Sequence, residues 1–352
     1  MIELLRELVE LESPTGDTAA VRDRLADELA TLGGAVTVDG DHLRADFAGG
    51  EAPLLLSGHF DTVWPRGTLE QMPWRVEDGR AYGPGVYDMK AGIVVLLEAV
   101  KAAQTEHELR VVLGADEEIG SPRSRETIAG AAEGALAAFI VEPPTPPRGD
   151  LKTARKGLGR FTLSITGRAA HAGEPADGVS AIEELARLIL RLHALNDPAT
   201  GVSCNVGVVD GGTRENVVAA EAHAWIDVRV PTLAERERVD EWLRTLQPET
   251  PGTTLALDGR WTRPPLERTP GNVALFAQAR EHGRALGLDL AETSASGGSD
   301  GNLIAALGVP VLDGLGAEGD GAHALDEHVV LDSLAVRAQL LAALLRSPGL
   351  AP

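Results

Sequence analysis

Three short apolar runs in the first half of the chain each end on residues that can ionise or ligate. Leu54-Leu55-Leu56 leads to His59 and Asp61, the run 109–113 leads to Asp116-Glu117-Glu118, and the run 137–141 leads to Glu142. Short, mostly apolar runs read as strands buried on both faces. Such strands belong to an α/β sheet, and ligands there bind beyond the carboxyl ends of the strands. The intervening segments agree. Leu4, Leu5, Val9 and Leu11 recur at helical spacing before Pro14, and Val21, Leu25, Leu29 and Leu32 do so before Gly33-Gly34. Residues 89–103 predict a mostly apolar helix just after Asp88.

The pattern changes near residue 155. Phe161, Leu163 and Ile165 alternate with polar residues, as do Ala222, Ala224, Ile226 and Val228, which predicts strands with one buried face. Between them Ile182, Leu185, Leu188, Ile189 and Leu192 mark an amphipathic helix, and Thr232 with Glu235 opens another that runs to Leu246. One-sided strands with helices predict an antiparallel sheet covered on one face. The α/β style returns after about 264, with a strand at 309–312 and a long terminal helix over 326–346. The expected organisation is therefore a catalytic domain of residues 1–154 and 264–352, interrupted by an inserted α+β domain of residues 155–263. Pro143-Pro144-Thr145-Pro146-Pro147 reads as a stiff connector near the first junction.

Composition narrows the function classes. Of 352 residues 43% are hydrophobic but only 3% aromatic, so the core must be built from Ala, Leu, Val and Ile. Lys and Arg number 32 against 53 Asp and Glu, a net charge of −21. That balance argues against nucleic acid or an anionic membrane as partner, because both need clustered cations. The single cysteine, Cys204, allows no internal disulfide and no cysteine zinc site, and with Trp225 it reads as packing within the inserted domain. The N-terminus lacks the pattern of a signal peptide, and no apolar run approaches the roughly 20 residues of a membrane span. The expectation is a soluble cytoplasmic enzyme.

Taken singly, the polar residues at the strand ends have ordinary explanations. His59 could be a satisfied core histidine, Asp88 an N-cap after the glycine turn at 83–85, and His323 a loop residue. His42, His107, His193, His223, His282 and His328 read as polar-face or loop residues. Jointly the set is harder to dismiss. Asp116, Glu117 and Glu118 in a row at a buried strand end repel one another unless a cation neutralises them. Carboxylates and imidazoles without thiolates suit zinc, cobalt or manganese. Five ligands are too many for one four-coordinate ion that keeps a water, but they fit two ions sharing a carboxylate.

Five motifs occur in order: Gly58-His59-Phe60-Asp61-Thr62-Val63, Gly85-Val86-Tyr87-Asp88-Met89-Lys90-Ala91-Gly92, Asp116-Glu117-Glu118-Ile119-Gly120-Ser121, Val141-Glu142-Pro143 and Gly167-Arg168-Ala169-Ala170-His171-Ala172-Gly173. Together they resemble the co-catalytic di-zinc metallopeptidase family of glutamate carboxypeptidase, acetylornithine deacetylase, succinyl-diaminopimelate desuccinylase and aminoacylase. The stretch from Val63 to Gly85 and the segment 120–125 are most similar to the glutamate carboxypeptidase branch. The resemblance implies an α/β zinc-peptidase domain with a mixed, largely parallel sheet and helices on both faces. It implies that the inserted domain is a lid that also forms a homodimer.

It also implies two Zn(2+) ions per subunit, with cobalt or manganese as substitutes. Asp88 would bridge them, His59 and Glu142 would complete one site, and Glu118 and His323 the other. Asp61 would orient His59, Glu117 would be the general base, and the Asp88–Met89 peptide would be cis. His171 would reach into the partner subunit's site and hold the oxyanion. Asn216, Arg229, Arg263 and the backbone of Gly297 and Gly298 would hold substrate oxygens, with Arg263 equally open to being an exposed hinge residue. The implied reaction is hydrolysis of an amide next to a free carboxylate, releasing a C-terminal amino acid from a small molecule or short peptide. An N-acyl-amino-acid deacylase on the same scaffold is the alternative, and a non-catalytic metal-binding relative a more distant one.

Overall fold

The computed structural model describes residues 1–350, and the chain forms two compact units. The first comprises Met1–Ala154, Arg268–Ala295 and the chain from Ser299 onward. Its main sheet runs, among the described residues, in the order Ala35–Asp39, His42–Phe47, His107–Gly114, Glu51–His59, Ala137–Ile140 and Val311–Leu312. Glu51–His59 pairs in parallel with both neighbours, as Val311–Leu312 does with Ala137–Ile140. Ala35–Asp39 and His42–Phe47 extend the sheet antiparallel. The sheet is thus mixed and largely parallel, and its apolar strands are the three runs that end on candidate ligands.

The parallel strands are buried because helices cover them. Ala91–Ala103 packs on Leu331–Arg346, and Arg125–Ala132 packs on Asp300–Ala305. The core is aliphatic, as the composition requires: Leu54, Leu56, Val94, Leu96, Val111, Leu113, Leu340 and Leu341 are fully buried. Each such side chain contributes about 1.5–3 kcal/mol relative to leaving it in water. Gly92, in the first turn of Ala91–Ala103, allows a close approach. A Cβ there would sit 1.9 Å from the Val141 carbonyl oxygen. The helix that follows Asp88 therefore rests directly on the strand end that carries Glu142.

The second unit comprises Arg155–Glu267 with Ser296–Gly298. Its antiparallel sheet has the order Ser203–Gly211, Glu221–Val230, Gly157–Thr166 and Thr254–Arg263. The period-two alternation buries Phe161, Leu163, Ile165, Ala222, Ala224, Ile226 and Val228 together with Leu185, Leu188 and Leu192 of the helix Ala181–His193. Thr232 caps Leu233–Arg244, its hydroxyl accepting from the Glu235 amide at 3.1 Å.

Several expectations change. The segments 264–267 and 296–298, read with the first domain, cluster with the second unit. The cause is local: Leu266 bridges to Arg155, and the Arg155 guanidinium donates to the Gly297 and Gly298 carbonyls. The terminal helix begins at Leu331 because His328–Val330 is a strand pairing with Arg80–Tyr82. The helix after Asp88 starts at Ala91, since Asp88 and Met89 have non-helical backbone angles. Cys204 is buried as expected, but Trp225 is 43% exposed. It occupies the odd phase of Glu221–Val230, pointing away from the face that packs on the helices.

Candidate metal centre

His59 ends the strand Glu51–His59, and its ring is almost fully buried. Nδ1 lies 3.0 Å from the Asp61 carbonyl and 3.4 Å from the Asp61 carboxylate. A proton on Nδ1 leaves the Nε2 lone pair free. Nε2 lies 3.3 Å from Asp88 Oδ1 and 3.6 Å from Glu142 Oε1. Asp61 is itself held. Its carboxylate accepts from the Thr15 hydroxyl at 2.7 Å and from the amides of Glu117 and Glu118 at 3.1 and 3.3 Å. Asp61 thus meets His59 Nδ1 chiefly through its backbone carbonyl, while its buried carboxylate pins the turn Glu117–Ile119.

Asp88 follows a tight turn in which Gly85 has φ +70°, and a Cβ at Gly85 would meet Thr62 Cγ2 at 2.4 Å. The Asp88–Met89 peptide is cis, as the sequence resemblance implies. Asp88 Oδ2 lies 3.4 Å from His323 Nε2, which also lies 3.4 Å from Glu118 Oε1. The two oxygens of Asp88 therefore face two different imidazoles. His59 and Glu142 stand on one side, His323 and Glu118 on the other. His323 holds this position with φ +63°, a left-handed backbone uncommon outside glycine.

The donor set fits divalent metal. His59, Asp88 and Glu118 offer ligand atoms all within 4.8 Å of one another. Asp88 Oδ1 and Glu118 Oε1 are buried yet find no hydrogen-bond partner among the described residues. Buried carboxylate oxygens are rarely left so, because each costs the desolvation of an acceptor. A cation between them would satisfy both. Burial opposes charge on His59, but Asp61 and Asp88 outweigh it and hold its pKa well above the ordinary imidazole value. Asp88 and Glu118 push His323 up to about 10 against the opposing effect of burial. Burial favours the neutral form of Asp88, yet His323 and His59 keep its pKa well below the usual carboxylate range.

Asp116 does not join the cluster. Its side chain is fully buried and accepts from the Ser124 hydroxyl at 2.6 Å and the Arg123 amide at 2.7 Å. The protein itself satisfies it, so mutual repulsion of three adjacent acids is avoided by turning one inward. His42 and His107 are likewise buried rather than polar-face residues. His42 accepts from the Ala115 amide at 3.1 Å, and His107 Nδ1 lies 2.8 Å from the Ala52 carbonyl.

His171, Asn216, Arg229, Arg263, Gly297 and Gly298 all belong to the second unit. His171 is exposed, and its Nδ1 accepts from the Gly173 amide at 3.0 Å. That bond selects the tautomer with the proton on Nε2, which makes Nε2 a donor. The exposed Asn216 lies beside it, its carbonyl accepting from the Ala172 amide at 3.0 Å. Arg229 donates to Asp227 at 2.8 Å and to the Ser296 carbonyl at 2.9 Å. Arg263 is only 3% exposed, so it is not an exposed hinge residue. Its Cδ would lie 2.6 Å from a Cβ at Gly298. Arg155 Nη1 reaches both the Gly297 and Gly298 carbonyls at 3.2 Å.

Two buried ionisable residues near Asp88, Lys90 and Glu327, are assigned no role by the sequence. Lys90 donates to the Leu11 carbonyl at 3.0 Å, and burial pushes its ammonium down to about 7. Glu327, fully buried, accepts from Trp64 Nε1 at 2.9 Å and from the amides of Gly85, Tyr87 and Asp88 at 3.0, 2.9 and 3.0 Å. The partners of Glu327 lie some 240 positions or more away in sequence. Only its place four residues after His323 could have drawn attention.

Comparison with known proteins gives consistent results. The model of peptidase family M20/M25/M40 matches residues 55–347. Carboxypeptidase G2 of Pseudomonas sp. (strain RS-16) is 33% identical over 99% of this chain and 89% of that enzyme. Succinyl-diaminopimelate desuccinylase of Thioalkalivibrio sulfidiphilus (strain HL-EbGR7) is 27% identical over 98% of each. Among solved structures, aminopeptidase PepT from Bacillus cereus ATCC 10987 matches with a TM-score of 0.83 at 22% identity, covering 99% of this chain and 97% of that one.

Proposed function

This chain belongs to peptidase family M20/M25/M40, and from that premise we propose that it cleaves an amide bond adjacent to a free carboxylate and releases a C-terminal amino acid. The single observation that carries the reading is the donor set around Asp88: its two oxygens face two different imidazoles, and each imidazole also faces one further carboxylate. His59, Asp88 and Glu142 would hold one divalent ion, and Asp88, Glu118 and His323 a second. Bound there, zinc would supply Lewis acidity that acidifies a water and polarises the scissile carbonyl. Asp61 keeps His59 in the ligating tautomer. Glu117 lies close enough to His59 for its charge to raise that pKa. In this reading the Glu117 carboxylate takes the proton of the attacking water and then passes it to the departing amine.

The residues of the second unit serve substrate oxygens in the same reading. His171 Nε2–H is a donor suited to an oxyanion. Arg229, Arg263, Asn216 and the Gly297-Gly298 backbone would hold the free carboxylate that restricts cleavage to a chain end. Homodimerisation would use the sheet edge Ser203–Gly211, a role supported by exposed apolar Val208 and Val209 there and by Trp225 opposite Val208 on the next strand. His171 would then act on the partner subunit's site. Inactive His171→Ala and Glu117→Gln proteins should regain activity when mixed as heterodimers; no recovery after demonstrated subunit exchange would rule that out.

The test of the main reading is amine release from a matrix of N-acyl amino acids and dipeptides, before and after chelation and zinc return. Rates that follow the C-terminal residue and tolerate the acyl side support carboxypeptidase action. Rates that follow the acyl group favour N-acyl-amino-acid deacylation, a second reading supported by the match to succinyl-diaminopimelate desuccinylase. Activity indifferent to chelation despite measured metal loss would overturn both.

A further inference from the structure

We propose that Glu327 is the positioning residue of the metal centre, the group that fixes Asp88 between the two imidazoles and so sets the geometry of two divalent cations. The inference rests on the proposed reading of Asp88 as a shared ligand.

Glu327 is fully buried, and its four hydrogen bonds use both oxygens evenly. Oε2 accepts from Trp64 Nε1 and the Gly85 amide, and Oε1 from the amides of Tyr87 and Asp88. An ionised carboxylate offers about four acceptor positions and no donor. All four are filled.

Those bonds join three segments that each carry a candidate ligand. Trp64 follows the strand end that presents His59 and Asp61. Gly85, Tyr87 and Asp88 form the turn that presents the bridging carboxylate. Glu327 itself lies four residues after His323, in a turn closed by its own amide donating to the Ala324 carbonyl at 3.0 Å. The bond from the Asp88 amide is the most direct, since it fixes the backbone from which that carboxylate projects. With that backbone held, Oδ1 stays 3.3 Å from His59 Nε2 and Oδ2 stays 3.4 Å from His323 Nε2. Only an acceptor-only group fits such a nest of donors. An amide of the same shape would turn N–H groups toward two of the incoming donors.

The experiment measures zinc affinity on folded protein rather than turnover. Chelator-stripped wild type, Glu327→Gln, Trp64→Phe and a control, Leu29→Ala, are titrated with zinc against a chromophoric chelator, with circular dichroism and Tm recorded for each. Leu29 is a fully buried core residue with no role in the site. Wild type should bind two zinc ions. Glu327→Gln should bind at least one of them about 10–100-fold more weakly, the usual effect of losing a group that orients a metal ligand. Trp64→Phe, which removes one of the four donors, should show a smaller loss in the same direction. Leu29→Ala should lower Tm and leave zinc affinity unchanged.

Wild-type affinity in Glu327→Gln would overturn the proposal, and so would an equal affinity loss in Leu29→Ala, which would mark the effect as general destabilisation. If Glu327→Gln does not fold, Trp64→Phe decides: weakened zinc binding supports the assignment and unchanged binding overturns it. Wild type that binds no zinc is a different result, because it removes the metal reading on which the inference stands.

Discussion

The contact between Gly92 and the Val141 carbonyl is open to a direct test. In Gly92→Ala the new Cβ would lie 1.9 Å from a backbone oxygen, and no side-chain rotation can relieve that. An ordinary carbon–oxygen approach is about 3.3 Å, so the helix Ala91–Ala103 and the chain at Val141 must part by about 1.4 Å. The same movement separates Asp88, four residues before Gly92, from Glu142, the residue after Val141. Overpacking of this kind costs about 1–3 kcal/mol, and Tm should fall by about 2–12 °C for a unit of this size. Misplacement of about 1 Å at a reacting centre costs about 100-fold in rate, so kcat/KM should fall by that order even in protein that remains folded. Gly130→Ala in the helix Arg125–Ala132 is the control. Its Cβ would meet only Arg44 Nη1 at 3.8 Å, so the same change should stabilise by about 0.5–1 kcal/mol through helix propensity. Assays are thermal unfolding, bound zinc and initial rates. Wild-type Tm and rate in Gly92→Ala would refute the claim that this close approach positions the ligands.

Glu117→Gln should keep its metal and lose about 100- to 10,000-fold in kcat, the usual worth of a general base; retained activity in metal-replete protein would remove Glu117 from that role. Cys204 is buried, and burial together with nearby Asp227 pushes its thiol up to about 11. Below that value the proton stays on, so only about 0.1% is thiolate near pH 8, and a disulfide reagent should titrate no thiol until the protein is denatured. Glu184 is fully buried and accepts from the amides of Glu249 and Thr250, each at 2.8 Å. Its removal in Glu184→Ala should cost about 1–3 kcal/mol near neutral pH. Burial raises its pKa, but the bonds from Thr250 and Glu249 outweigh burial and hold it below the ordinary 4.5. A depressed folded-state pKa stabilises fully above the unfolded value, and that contribution fades as pH falls below it. The Tm gap between wild type and variant should therefore narrow near pH 3; a gap that widens there would contradict the assignment.

The sequence alone determined the strands that matter and the residues they deliver. His59, Glu118 and Glu142 each follow an apolar run, and a run buried on both faces has to expose its polar successor at the strand end. Period-two alternation likewise marked the second unit through Phe161, Leu163 and Ile165. Strands with weaker patterns carry little local signal: Ala35–Asp39 is largely exposed, and Thr254–Arg263 alternates only partly. Tertiary structure decided the rest, because burial of a charge depends on partners that local pattern does not encode. Asp116 and Glu117 are neighbours of the same type, yet Ser124 and the Arg123 amide draw only the first inward. Arg263 is buried where its sequence context left exposure open. Glu327 reads as one more acid near the end of an acidic chain, and only folding brings it the four donors that fix Asp88. The identity of the candidate ligands follows from local strand-end chemistry, whereas their position is set by contacts across the whole length of the chain.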